Sequence, residues 1–330
     1  MNPITLYPLR FEPVYRYRLW GGRRLSSLLS ATLPDGPVGE AWLLSDRDDH
    51  SSVIANGSLN GQTLGQVLNR WPTLLLGQSA RGLRRFPLLL KLLDVRTALS
   101  VQVHPSDTQT TYLPAGESGK TEAWVVLATE PDSRIYAGLT PNATMITIRQ
   151  SLANGAVADQ LASFTPKLGD GVFIPAGTVH SLRDLVVFEV QENSDVTFRL
   201  FDWNHLDATT RQPRPLQVEQ ALACIDFMQN AVGPVAPVVE EREPVMRERL
   251  FDCEHFGLWR VRSEAPFTVG ADAVPRVLVF IDGEGHLKYD GIDYPCAKGD
   301  VILLPAVVGA CVCHPRGSIG LLEVSLPQGA

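Results

Sequence analysis

The chain is short of charge, of paired cysteines and of long apolar runs. Charged residues make up 20% of its 330 positions and the formal net charge is -7. This mildly acidic balance argues against a nucleic-acid or membrane-surface binder. An anionic small molecule is not excluded, because a few local lysines and arginines suffice to hold one. The five cysteines, Cys224, Cys253, Cys296, Cys311 and Cys313, are odd in number and include no CxxC pair. Neither a disulfide framework nor a thiolate zinc site is expected, and the thiols read as free and buried in a reducing cytoplasm. The Cys311-Val312-Cys313-His314 run lacks the usual ligand spacing and reads as a buried barrel edge. The longest apolar stretch, residues 301–313, contains Pro305 and is too short to span a bilayer. The opening MNPITLYPLRFEPVYRYRLW has no basic start, no apolar core and no small-residue cleavage site, so no secretory signal is expected.

What is present is 45% hydrophobic residues, enough for one large core or two smaller ones. Twenty-four prolines and 27 glycines punctuate many short apolar runs. Several of these runs alternate with period two, which predicts a mainly β protein. Helical spacing is confined to residues 62–76, 142–163 and 217–227. In the second of these Met145, Ile148, Leu152, Val157 and Leu161 recur at helical intervals, and Gly155 divides the stretch. Residues 230–244, NAVGPVAPVVEEREP, are the best linker. They divide the chain into residues 1–233 and 234–330. An internal echo supports two related barrels. Gly169-Asp170 and Pro175-Ala176 bracket four residues, as do Gly299-Asp300 and Pro305-Ala306. The echo fails at one place, where His180 corresponds to Ala310, so only the first copy keeps that imidazole.

Four segments carry the candidate chemistry. In LSVQVH, residues 99–104, strict alternation puts Ser100, Gln102 and His104 on one face. An amide oxygen and an imidazole two residues apart can share one metal, although the same pattern is found on exposed strands. In GKTEAWVV, residues 119–126, Lys120, Glu122 and Trp124 share a face. That pairing reads equally as a surface ion pair or as a metal ligand beside a substrate-binding cation. In GDGVFIPAGTVH, residues 169–180, a tight turn precedes His180 and fixes its backbone. In VFEVQENSDVTFRLFDW, residues 187–203, Asn193-Ser194-Asp195 predicts a turn between two strands forming a hairpin. Arg199 there lies among Phe198, Leu200, Phe201 and Trp203. If it points inward it needs an anionic partner, either a phosphate or Asp195 or Asp202. Mixed nitrogen and oxygen ligation suits zinc, manganese, iron or cobalt.

The order and spacing of these segments closely resemble the type I mannose-6-phosphate isomerases, or phosphomannose isomerases, in their short bacterial form. The resemblance runs through Glu12-Pro13-Val14, Leu19-Trp20-Gly21-Gly22 and Gly39-Glu40-Ala41-Trp42. It continues through PLLLKLLDVRTALSVQVHPSD at residues 87–107, GKTEAW at 119–124, and residues 169–180 and 189–203. It implies two cupin-type (jelly-roll) β-barrel domains with a helical insertion, about 142–163, in the first. The second barrel is then a degenerate copy. It also implies one divalent ion, Zn2+ in this family, held by Gln102, His104, Glu122 and His180. Lys91 and Lys120 match family active-site lysines. Arg199 matches the active-site arginine, with Asp195 four residues before it, and Glu189 falls on a family glutamate. The implied reaction interconverts mannose 6-phosphate and fructose 6-phosphate through a cis-enediol. Catalytic roles are expected for Arg199, Lys120 and Glu189, and substrate binding for Lys91, Ser100 and Asp195. Two departures, Leu43 after the GEAW tryptophan and Asn204-His205 after Asp202-Trp203, bear on substrate preference. Competing expectations are another cupin metalloenzyme, such as an iron dioxygenase, and a non-catalytic sugar-phosphate sensor. The expected setting is a cytoplasmic monomer or weak homo-oligomer acting on a small sugar phosphate.

Overall fold

The computed structural model describes residues 5–80, 82–207 and 210–327. Two curled, nine-stranded antiparallel sheets account for most of it. The first runs in the order Gly171–Ile174, Glu122–Leu139, His180–Glu192, Leu88–Val95, Val14–Gly22, Val38–Leu44. Val101–Val103 pairs with His180–Glu192 and carries Phe198–Phe201 on its other edge. The second sheet is ordered Leu9–Phe11, Val301–Leu304, Arg276–Tyr289, Cys311–Ser325, Gly257–Ser263, Val245–Asp252, Val238–Glu241. The architecture is mainly β and consistent with a pair of cupin-type barrels. Among the described residues, no helix is long and apolar enough to cross a membrane.

Strand alternation sorts side chains between two cores. In LLLKLLDV, Leu88–Val95, every residue is buried, as expected of a central strand covered on both faces. Leu88, Leu90 and Leu92 enter an apolar layer shared by the two sheets. Leu93 and Val95 point into the first barrel beside Trp124, Val126 and Val187. Period two therefore sends Lys91 into the same barrel interior, together with Trp124 and Glu189, its neighbours in register. Asp94, on the opposite face, is held by the Arg24 guanidinium at 2.7 Å.

Helices lie in each of the three stretches where spacing predicts them, but they are short, and a further one-turn helix, Leu25–Leu28, falls outside those stretches. Leu64–Arg70 opens on a Thr63/Gln66 capping box, and Pro72 starts the next helix, Pro72–Leu76. Val218–Cys224 packs Leu222 and Cys224 into a small core beside the site. The stretch 142–163 is not helical throughout. Met145–Ala153 is a helix, Val157–Gln160 a single turn, and Leu161–Phe164 a strand paired with Glu122–Leu139. Gly155, at φ +67°, ends the helix, and the free edge of the long strand recruits Leu161–Phe164.

Two expectations are corrected. The segments 187–192 and 198–201 do not form a hairpin. His180–Glu192 already pairs with Leu88–Val95 on one edge and Glu122–Leu139 on the other, so Phe198–Phe201 crosses to Val101–Val103. The stretch 230–244 is not a free linker. Val232 and Val235 donate backbone hydrogen bonds to Ala137 and Gly171, and Val238–Glu241 is an edge strand of the second sheet. The N-terminal Leu9–Phe11 also pairs with Val301–Leu304, so the start of the chain completes the second sheet.

Candidate metal centre and anion cavity

Residues of three strands of the first barrel meet at its floor. His180 lies opposite Gln102, and Glu122 opposite both Gln191 and Ile174. His104, Glu122 and His180 each bring a ligand atom within 4.8 Å of the others, and all three are buried. His104 Nε2 is 3.5 Å from Glu122 Oε2, and His180 Nε2 is 3.3 Å from Oε1. The other nitrogens are committed. His104 Nδ1 lies 2.8 Å from the Val196 carbonyl and His180 Nδ1 2.9 Å from that of Thr178. Each Nδ1–H donates to its carbonyl, which fixes the tautomer and leaves an Nε2 lone pair aimed at Glu122. Burial drives both imidazoles toward the neutral form. It lowers His180 to about 4, with Lys120 adding to the effect. His104 falls well below the ordinary range for the same reason, with Lys120 and His180 adding to it.

The donor set fits a divalent cation. Both Glu122 carboxylate oxygens are buried, and among the described residues Lys120 is the one cation that reaches them. Lys120 Nζ stands 2.7 Å from Oε2 and 3.2 Å from His104 Nε2. Lys120 meets Oε2, so Oε1 and the two neutral imidazole nitrogens are left as a donor set that a divalent cation suits. Gln102 flanks the cluster, with Nε2 3.2 Å from His180 Nε2 and Oε1 accepting from Ser100 Oγ at 3.1 Å. A half-turn of the amide brings Oε1 to the cluster, and Ser100 can accept as readily as donate.

Above the floor opens a cavity of about 380 Å3 lined by Lys91, Ser100, Gln102, Lys120, Glu189, Asp195 and Arg199. All the residues singled out for substrate or catalysis therefore converge. Lys91 is buried 3.1 Å from Asp195 and 3.6 Å from Glu189. Burial alone would lower its pKa, but Asp195, Glu40 and Glu189 outweigh that and lock it as a cation. Asp195 is driven the other way: Lys91, Lys120 and Arg18 overcome its burial and push it down to about 2. Glu189 accepts from Trp124 Nε1 at 2.9 Å, and burial with Glu122 nearby raises its pKa. Arg199 does not pair with the carboxylates nearest it in sequence. Asp195 is taken by Lys91, and Asp202 is gripped by Arg214 at 2.5 and 2.7 Å. Arg199 Nε is buried without a hydrogen-bond partner.

Sequence reasoning missed Arg18, Glu40 and Arg214. Arg18 forks onto Glu40 with two contacts of 2.9 Å, and Trp42 Nε1 donates to the same carboxylate at 2.8 Å. All three missed residues line the cavity. The one signal for them was position, since Arg18 precedes the Leu19-Trp20-Gly21-Gly22 segment and Glu40 sits inside Gly39-Glu40-Ala41-Trp42.

The fold and site are those of a β-barrel with a buried imidazole–carboxylate cluster that could hold a metal ion, under a cavity lined by charged residues of both signs. Residues 9–131 match the family model for the phosphomannose isomerase type I catalytic domain. The mannose-6-phosphate isomerase ManA of Bacillus subtilis is 32% identical over 93% of this chain and 95% of its own length. The probable mannose-6-phosphate isomerase GmuF of the same organism is also 32% identical, over 94% of this chain and 99% of its own. A crystal structure of a mannose 6-phosphate isomerase from Bacillus subtilis superposes with a TM-score of 0.89 at 28% identity, covering 97% of this chain and 99% of that one. The chain belongs to the type I mannose-6-phosphate isomerase family.

Proposed function

We propose that the chain interconverts mannose 6-phosphate and fructose 6-phosphate, with one zinc ion held by Gln102, His104, Glu122 and His180. The observation that supports this most is the buried His104–Glu122–His180 cluster, whose ligand atoms all lie within 4.8 Å of one another with both imidazole Nε2 atoms turned to the carboxylate. When bound, the ion supplies Lewis acidity toward a sugar oxygen.

The remaining work falls to side chains in the cavity. Isomerisation takes a proton from C2 of the aldose, gives a cis-enediol, and returns a proton to C1. Glu189 is the carboxyl group suited to carry it, because burial raises its pKa toward the working range of a proton shuttle. Lys91 is a poor shuttle, being held as a cation by three carboxylates, and its role is electrostatic. Lys120 lies at the edge of the metal cluster and lines the cavity, so it can donate to the oxygens of the reacting carbons. Arg199 offers a guanidinium with an unsatisfied Nε to the phosphate or the enediolate. Ser100 and Asp195 position these groups through Gln102 and Lys91.

We assign residues 1–233 to the catalytic unit and 234–330 to a second barrel, with Leu9–Phe11 lent across. The protein acts in this reading as a cytoplasmic monomer or weak homo-oligomer. An iron dioxygenase has no use for Lys120 and Arg199, and a sensor has little use for the metal cluster. The test is conversion of mannose 6-phosphate to fructose 6-phosphate before and after chelation. Turnover abolished by chelator and restored by zinc is expected; turnover untouched by chelation overturns the metal assignment.

A further inference from the structure

A second group of metal-ligating side chains lies away from the cavity, where the second sheet meets the loops around the first site. Asp107, Glu192 and His255 each bring a ligand atom within 4.8 Å of the others. They come from three separate segments. Asp107 follows His104 on the loop leading to Lys120. Glu192 ends the strand carrying Glu189. His255 sits in the turn between Val245–Asp252 and Gly257–Ser263 of the second sheet.

Each side chain is held by one atom, which leaves another facing inward. Asp107 Oδ1 accepts from the Gly119 amide at 2.7 Å, and Glu192 Oε1 accepts from the Thr121 amide at 2.7 Å. His255 Nδ1 lies 3.3 Å from Glu192 Oε2, while its Nε2 lies 3.3 Å from Glu254 Oε1. An imidazole whose outer N–H meets a carboxylate while the inner nitrogen faces two more oxygens has the form of a metal-ligating histidine. The local charge points the same way. Three carboxylates, Asp107, Glu192 and Glu254, gather here, and among the described residues no lysine or arginine forms an ion pair with any of them. Glu192 is only 7% exposed. Among the described residues, the single imidazole of His255 is the one group of positive character set against these carboxylates, so a divalent ion adds charge that the protein does not supply.

We infer that Asp107, Glu192 and His255 form a second, structural site for a divalent ion of the zinc class. One nitrogen and two oxygens from protein, completed by water, suit zinc, cobalt or manganese. An ion there ties the second sheet to the Thr121 segment and the Asp107 loop, both adjacent to the first site. The inference does not depend on the isomerase reading.

The test uses the full-length protein, stripped with chelator and titrated with zinc chloride in a calorimeter, with bound metal counted after desalting. Two equivalents are expected for the unaltered protein, one for Glu122→Gln and one for His255→Ala. The double variant should bind none. Asp107→Asn, at an exposed position, should also bind one, and serves if His255→Ala does not fold. Zinc should raise the melting temperature of Glu122→Gln but not that of the double variant. A single equivalent that Glu122→Gln removes entirely overturns this inference and leaves the first site standing. An equivalent that survives in the double variant also overturns it, because the ion then sits elsewhere.

Discussion

Four central strands follow one order in both sheets and fill equivalent positions with opposite chemistry. They are Gly171–Ile174, Glu122–Leu139, His180–Glu192 and Leu88–Val95 in the first, and Val301–Leu304, Arg276–Tyr289, Cys311–Ser325 and Gly257–Ser263 in the second. In the first, Ile174 at the end of a short strand lies opposite Glu122, and Glu122 opposite Gln191. In the second, Leu304 lies opposite Arg276, and Arg276 opposite Ser325. Arg276 therefore stands where the first barrel has Glu122, and Glu323, two residues before Ser325, stands where it has Glu189. The second barrel closes its charges on themselves. Glu323 takes Arg247 at 3.0 Å, Arg276 at 3.7 Å and the Gly270 amide at 3.0 Å. Among the described residues, the first barrel gives Glu122 a single cation, Lys120 at 2.7 Å, beside two imidazoles, and leaves Arg199 Nε without a hydrogen-bond partner. Where one copy of the fold holds Glu122 beside two imidazoles, the other holds Arg276 in a closed ion pair with Glu323.

If that contrast is right, the largest effect belongs to Glu122. Glu122→Gln should lose one equivalent of metal and roughly 10³–10⁵-fold in kcat/KM, the scale of several kcal/mol of charge stabilisation. Metal content and turnover on mannose 6-phosphate check it together, and full activity without metal breaks the comparison. The next effect separates two equivalent carboxylates. Glu189→Gln should keep its metal and lose about 10²–10⁴-fold in kcat, the usual worth of a positioned acid–base group. Its folded-state pKa is raised, so ionising Glu189 costs stability as pH climbs from the unfolded-state pKa to the folded-state one, and the cost is constant above that. The variant should therefore be no less stable than the parent near neutral pH. Glu323→Gln should do the reverse. It takes the carboxylate from Arg276 and leaves Arg247 the longer ion pair with Glu241 at 3.6 Å, and should cost about 3 kcal/mol by urea denaturation, with kcat unchanged. Equal phenotypes for the two variants would sink the assignment of roles.

Much of the first site was legible in sequence because alternation in a strand is a geometric statement. Once Leu88, Leu90 and Leu92 are assigned to one face, Lys91 has to enter the other core. The same logic delivered Gln102 with His104, and Glu122 with Trp124. What stayed hidden was pairing between strands. The Asn193-Ser194-Asp195 turn suggested a hairpin, but both edges of His180–Glu192 were already taken by strands from earlier in the chain. The Arg18–Glu40 fork depends on Val14–Gly22 lying against Val38–Leu44, and the Asp107–Glu192–His255 group on how the second sheet seats. No local pattern encodes either. The partner of Arg199 was likewise open in sequence, and the structure narrows it by giving Asp195 to Lys91 and Asp202 to Arg214.

A smaller effect follows for Arg199. Replacing it with methionine removes a charged hydrogen-bond donor worth about 1.5–3 kcal/mol, so kcat/KM should fall roughly 10–100-fold. The metal should remain, because Arg199 does not touch the His104–Glu122–His180 cluster. A variant that loses metal as well would place Arg199 in the structural support of the floor and blur its distinction from Arg276.

The smallest effect concerns acid stability and tests whether the cavity's ion pairs resemble those of the second barrel. Asp195 is pushed down to about 2 by Lys91, with Lys120 and Arg18 adding to it, against the cost of burial. A carboxylate whose folded-state pKa is depressed stabilises the fold above its unfolded pKa near 4, and loses that contribution as pH falls toward 2. The Asp195 side chain is 39% exposed, so water screens the pair and the contribution is modest. Melting temperatures measured from pH 5 down to pH 2 should fall slightly more steeply for the parent than for Asp195→Asn. Parallel curves would mean that Lys91 is held by Glu40 and Glu189 alone. The cavity would then keep Asp195 free for the substrate, and the contrast with the closed ion pairs of the second barrel would be sharper.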